Sequence, residues 1–94
     1  MKNKFIVAGY CEKITLENNQ VIKFKVKCVG RNETKSVTLT CYKKELFSAL
    51  KDFCTGYDKE VEFECIVYDT SYRDKKTNNW IYQVIVQIEK VIGM

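Results

Sequence analysis

Val21-Ile22-Lys23-Phe24-Lys25-Val26-Lys27-Cys28-Val29 alternates apolar and cationic side chains without a break from Ile22 to Cys28. Side chains along a strand point to opposite faces with a period of two. Residues 21–29 therefore read as a strand, with Ile22, Phe24, Val26 and Cys28 inward and Lys23, Lys25 and Lys27 in a row outward. A slip of one residue would turn the lysines into the core, so the pattern fixes the register as well as the element. Like charges side by side cost stability. An exposed lysine row commonly serves solubility or edge protection, but three in register are better accounted for if a polyanion lies across them.

The flanking segments carry the same period. In 4–16, Phe5, Val7, Gly9 and Cys11 alternate with Ile6, Ala8 and Tyr10, so both faces are apolar near the start. Asn18-Asn19 marks a turn, because asparagine bonds its own backbone and tolerates positive φ. After a polar connection at 30–34, residues 35–42 form a third strand, with Val37, Leu39 and Cys41 on one face and Thr38, Thr40 and Tyr42 on the other. The period then changes. Leu46, Ala49, Leu50 and Phe53 recur at the spacing of one helical face, and Gly56 is a C-terminal stop, which predicts a helix of about three turns over 43–54. Period two returns at 60–68, with Glu60, Glu62 and Glu64 outward. Residues 69–79 form a polar hairpin loop. The last strand, 80–92, has Trp80, Tyr82, Val84, Val86 and Ile88 on one apolar face.

The order β-β-β-α-β-β describes an all-β domain with one helix. A five-stranded sheet leaves exposed edges unless it curls and closes. This order is that of the five-stranded OB-fold barrel, whose helix covers one end; an open sheet with a helix on one face is the alternative. The 94 residues suit a single domain over 1–94. Apolar runs of four or five residues are far short of the roughly 20 needed to span a bilayer and too short for a signal-peptide core, so a cytoplasmic protein with no membrane partner is expected.

Charge is unevenly distributed. The net charge of +4 divides into +7 over residues 1–44 and −3 over 45–94. A basic half is the footprint of a polyanion binder, and also of an ordinary lysine-rich surface. Five cysteines without a C-x-x-C pair, and no histidine, give no metal-site pattern. Cys28, Cys41 and Cys65 fall on apolar faces and read as small buried hydrophobes in a reducing compartment. No metal, cofactor or catalytic group is expected: there is no phosphate-binding glycine loop and no serine or cysteine beside an evident base.

The chain resembles the bacterial and phage single-stranded DNA-binding proteins. Asn3-Lys4-Phe5-Ile6-Val7-Ala8-Gly9 is similar to their opening strand. Leu46-x-x-Ala49-Leu50-x-x-Phe53 ahead of Gly56 is similar to their helix, and Glu60-Val61-Glu62-Phe63-Glu64 to the strand that follows. Tyr68 through Lys75 and Trp80 through Val86 are similar to their long fourth hairpin, in which an aromatic, one residue and Asp precede a polar turn. Two features depart from the family: strands two and three carry lysine and threonine where it has tryptophan, and the sequence ends at Val91-Ile92-Gly93-Met94 without an acidic tail. That ending implies a bare binding domain of the phage, plasmid or primosomal type.

What the resemblance implies can be placed residue by residue. In OB-folds the outer face of strands two and three, with the loops joining strands one–two and four–five, forms the groove. Lys23, Lys25, Lys27, Arg31 and Lys35 would supply charge, Thr38, Thr40 and Tyr42 the adjacent strand, and Tyr72, Arg73, Lys75 and Lys76 the hairpin arm. Tyr42 could equally pack on the helix. Tyr82 is expected in the core; Trp80 admits both core packing and base stacking and is counted with the binding residues. Ile6, Ala8 and Tyr10 give the first strand, taken as an edge, a second apolar face that needs a cover. In the family the first strands contribute to dimers, which implies a homodimer or homotetramer here. The function expected is non-sequence-specific binding of single-stranded DNA, or RNA, in replication, recombination or transfer, with replication proteins as partners. The alternative is an OB-fold adaptor in a replication or mobile-element complex. A nucleic-acid mimic should be acidic, and this chain is basic.

Overall fold

The lysine-bearing segment lies inside a barrel, flanked on both sides. The computed structural model describes residues 4–29, 34–56 and 58–93. Strands β1 (Lys4–Glu17), β2 (Ile22–Val29), β3 (Thr34–Cys41), β4 (Val61–Arg73) and β5 (Trp80–Gly93) close in the order β1-β2-β3-β5-β4. A parallel contact of Thr40 with Gln87 joins β3 to β5, and the other pairings are antiparallel. With its helix between β3 and β4, this is the OB-fold that the element order predicts.

The alternation in β2 produces the expected partition. Ile22, Phe24 and Val26 are completely buried, which by apolar transfer is worth about 1.5–3 kcal/mol for each side chain. Phe24 meets Phe63 edge-on at 5.6 Å between ring centroids, and Phe53 meets Phe63 at 6.5 Å. These rings join β2, β4 and the helix in one core.

The helical segment opens as a 3₁₀ turn, Lys44–Leu46, and continues as α1, Phe47–Phe53. No side chain caps either start. The first turn instead tightens, with the Leu46 N–H on the Lys43 carbonyl at 3.0 Å. The regular helix is therefore shorter than the periodicity predicts, although its inward residues Leu50 and Phe53 are buried as expected. Gly56, at φ 101°, follows its end.

Strand β1 is not an edge, which corrects the sequence expectation. Its first half pairs with β4, from Lys4↔Ile66 to Gly9↔Val61, and its second half with β2, from Tyr10↔Lys27 to Glu17↔Ile22. Gly9 stands where the strand changes partner. A Cβ there would lie 2.5 Å from the Lys27 carbonyl oxygen and 2.7 Å from Val26 Cγ1, so only glycine permits the two strands to approach this closely.

The last hairpin is more regular than its composition suggests. β4 continues to Arg73, and pairing with β5 persists to Arg73↔Trp80. The turn is only 74–79, closed by Asp74 N–H on the Asn79 carbonyl at 2.8 Å and Asn78 N–H on the Asp74 carbonyl at 2.7 Å. Asn78 takes the left-handed conformation, φ 60°. Val86 and Ile88 reach the core, but Tyr82 does not: it is 75% exposed. The hairpin has left the barrel by that point, so its strand pattern no longer reports burial.

Candidate nucleic-acid interface

Strand register lays out the outer face of β1, β2 and β3 in rows. Lys23 lies between Leu16 and Thr40, Lys25 between Lys13 and Thr38, and Lys27 between Tyr10 and Ser36. Lys23 and Lys25 are half-buried and Lys27 exposed, consistent with aliphatic stems lying on the sheet and ammonium groups in water. Lys13 joins them, directly across from Lys25. Strand parity would turn Lys13 inward with Cys11. A bulge at Glu12 reverses that, placing Cys11 opposite inward Val26 and Lys13 opposite outward Lys25. Nothing in the residue types at 11–13 announces the bulge.

The described ion pairs are Lys4–Glu64 at 3.2 Å, Lys90–Glu64 at 3.9 Å and Lys51–Glu17 at 2.6 Å. None of them engages Lys13, Lys23, Lys25 or Lys27. One carboxylate does reach across this side: Glu12, on the bulge, accepts a 2.6 Å hydrogen bond from the Ser36 hydroxyl of β3. The four cations thus face outward together, among the described residues without a salt-bridge partner.

Other predicted residues distribute differently. Thr38 is exposed beside Lys25. Thr40 holds its outward register, yet it is only 3% exposed beneath its neighbours and has no surface to offer a ligand; this corrects its assignment. Lys35 is exposed near the start of β3, but it pairs with Cys28 and shares the row of Val37 and Leu39, not the outer row. Tyr42, just past β3, is exposed and touches Tyr68. Burial first, and then that neighbouring phenol, raise the Tyr68 hydroxyl above its ordinary pKa. The Tyr68 hydroxyl also donates to Gln87 Oε1 at 2.7 Å. Arg31 lies outside the described residues.

The band from Lys23 through Thr40 and Gln87 to Ile66 continues up one face of the hairpin arm, through Tyr68↔Ile85, Thr70↔Gln83 and Tyr72↔Ile81. Tyr72 is 51% exposed and in line with the lysine face. Trp80, 56% exposed, lies on the opposite face of the arm with Tyr82 and Val84. The Arg73 guanidinium sits 5.9 Å from its ring centroid, a cation–π geometry. The arm therefore carries aromatic groups on two faces, one continuous with the cationic surface and one turned from it. Lys75 and Lys76 are exposed in the turn, which the Asp74 carboxylate stiffens by accepting from the Lys76 N–H at 2.9 Å.

The other side of the barrel contrasts with this one. Ile6 and Ala8 pair with Glu64 and Glu62, giving an apolar strip bordered by acid, while Tyr10 pairs with Lys27 at the lysine border. Ile6 and Tyr10 are exposed. No helix among the described residues is long and apolar enough to cross a membrane.

No protein-family model and no curated protein sequence matches the chain. Solved structures do. The chain is similar to Rim1, the mitochondrial single-stranded DNA-binding protein of S. cerevisiae, at 13% identity and TM-score 0.66, over 100% of this chain and 96% of that one. It is similar to a small single-stranded DNA-binding protein from Mycoplasma pneumoniae at 17% identity and TM-score 0.65, over 99% and 94%. It is also similar to the Plasmodium falciparum SSB solved with single-stranded DNA, at 14% identity and TM-score 0.64, over 98% and 94%. At such identities the likeness is one of fold, and it extends along nearly the whole of each chain.

Proposed function

We propose that this chain is a non-enzymatic, non-sequence-specific binder of single-stranded DNA, acting as one domain over 1–94. The observation that carries the reading is the outer face on which Lys13, Lys23, Lys25 and Lys27 stand without carboxylate partners among the described residues and run into the Tyr72 face of the arm. Non-specific strand binding needs a cationic track for the backbone and aromatic faces for the bases, and this face offers both. Lysine–phosphate contacts carry no sequence information, so little base preference is expected. Thr38 and Tyr42 border the track. Arg73, Lys75, Lys76 and Trp80 extend it at the arm, with Trp80 engaged by strand that wraps to the arm's second face. Arg31 and Lys35 add charge at the β2–β3 end. The fold shared with three single-stranded DNA-binding proteins, one of them solved with its strand, supports the same reading.

The role envisaged is protecting or organising single-stranded DNA in the cytoplasm during replication, recombination or transfer, alongside replication proteins. Ile6, Ala8 and Tyr10 would form the contact of a homodimer or homotetramer, which lengthens the bound strand through effective concentration.

The test is a fluorescence titration with oligo-dT, oligo-rU and duplex DNA across a salt series. Four lysine–phosphate contacts give a slope of log K against log salt of about −3 on a single strand. Binding to oligo-dT should then weaken about 50-fold between about 50 and 200 mM salt. Equal, weak affinity for duplex and single strand would reduce the face to generic basicity, and tighter binding to oligo-rU would reassign the ligand to RNA.

A further inference from the structure

The lysine face holds one carboxylate, and it is tethered there. Strand register puts Glu12 between Cys11, which is across from Val26, and Lys13, which is across from Lys25. Ser36 stands on the far side of β2, across from Lys27. The 2.6 Å hydrogen bond from the Ser36 hydroxyl to Glu12 Oε1 therefore carries the glutamate side chain over β2, between Lys25 and Lys27. Glu12 and Ser36 are both exposed. The described ion pairs include none between Glu12 and these lysines. A neutral hydroxyl thus holds a negative charge in the middle of the cationic row.

That placement works against binding strength, but it suits a choice between ligands. Each lysine–phosphate contact contributes a salt slope of about 0.9 on a duplex and about 0.7 on a single strand. A bare lysine row would therefore attract duplex DNA at least as well as single-stranded DNA. Stacking on Tyr72 favours unpaired bases, yet it does nothing to repel a duplex. Selectivity also needs an element that opposes the wrong partner. Lys25 and Lys27 stand about 7 Å apart along β2. A duplex carries a phosphate for about every 3.4 Å of each strand, too dense an array to cross both lysines without crowding the carboxylate between them. A single strand has soft torsions in every nucleotide. It can set phosphates on the lysines to either side and leave a sugar or a base edge over Glu12.

We propose that Glu12, held in place by Ser36, sets the selectivity of this face by repelling duplex DNA, an inference that rests on the single-strand reading above. Glu12 is the specificity-determining residue. Ser36 acts through it and is a positioning residue.

The experiment measures fluorescence anisotropy of labelled oligo-dT, alone and annealed to oligo-dA, with the wild-type protein, Glu12→Gln, Ser36→Ala and Ser36→Thr. Glu12→Gln keeps the shape and the acceptor and loses the charge. It should tighten duplex binding about eightfold near 0.1 M salt, the effect of one charge, and leave oligo-dT binding within about twofold. Ser36→Ala frees the carboxylate to swing into solvent, and should tighten duplex binding by less than Glu12→Gln does. Ser36→Thr keeps a hydroxyl donor and should restore the wild-type ratio of the two affinities. Adding Ser36→Ala to Glu12→Gln should give no further gain. Equal gains on both ligands, no duplex gain in Glu12→Gln, or a Ser36→Ala protein that matches the wild type would overturn the proposal. Glu12→Gln decides alone if Ser36→Ala fails to fold, as judged by circular dichroism. Failure of the single-strand reading shows separately, as a wild-type protein that binds oligo-dT no better than duplex, and it removes this inference with it.

Discussion

The two sides of the barrel use lysine in different ways. On the β4 side, Lys4 and Lys90 converge on one carboxylate, Glu64. On the β2 side, Lys13, Lys23, Lys25 and Lys27 occupy neighbouring positions of one outer face, Lys13 directly across from Lys25. Energetically the difference is small while the protein is free. An exposed ion pair contributes about 0–1 kcal/mol, and two ammonium groups about 7 Å apart repel by about 0.6 kcal/mol in water. Fold stability alone therefore does not decide between the arrangements. What separates them is the response to a polyanion: the β2 side gains a counter-charge for each lysine, whereas the β4 side must first break a pair. Net charge, +4 for the chain, conceals this asymmetry.

The comparison breaks most visibly if the row is removed. Replacing Lys23, Lys25 and Lys27 together with Ala should flatten the salt slope for oligo-dT by about 2 and weaken binding about 100-fold near 0.1 M salt; an unchanged slope would put the strand elsewhere. Tyr72→Ala sharpens the contrast between charge and stacking. It should cost about 1–3 kcal/mol of binding with the slope intact, and isothermal titration at two salt concentrations separates the two terms. Gly9→Ala attacks the junction of the two sides, because the new Cβ meets the backbone of Lys27. A loss of about 1–3 kcal/mol in stability is expected in urea unfolding; full stability would mean the strands part there without cost. Lys13→Ala removes one contact from the row and should reduce the slope by about 0.7, about fivefold in affinity near 0.1 M salt. The smallest effect belongs to the other side: Lys4→Ala with Lys90→Ala should leave the slope unchanged, and a fall comparable to that of Lys13→Ala would erase the distinction.

How much of this was legible in the chain depended on burial. Where one face packs, as in β2 and β3, alternation placed Phe24, Val26, Leu39 and the outward lysines correctly. Where neither face packs, as in the arm, alternation lost its meaning. Asp69 to Arg73 read as loop yet are paired, and Tyr82 read as core yet is in water. Bulges were invisible for a different reason. The extra residue at Glu12 changes the direction of Lys13 without changing composition, and strand parity alone would turn it inward. Barrel closure, a property of all five strands together, removed the edge that β1 alone suggested. Thr40 shows the converse limit: its direction was right, and its neighbours still cover it.

Lysine reactivity mapped by mass spectrometry, with and without saturating oligo-dT, measures the asymmetry directly. Brief acetylation should label Lys13, Lys23, Lys25 and Lys27 in the free protein and spare them in the complex, while Lys4 and Lys90 label equally in both. Protection of Lys4 and Lys90 with continued labelling of the β2 row would contradict the assignment of the binding face.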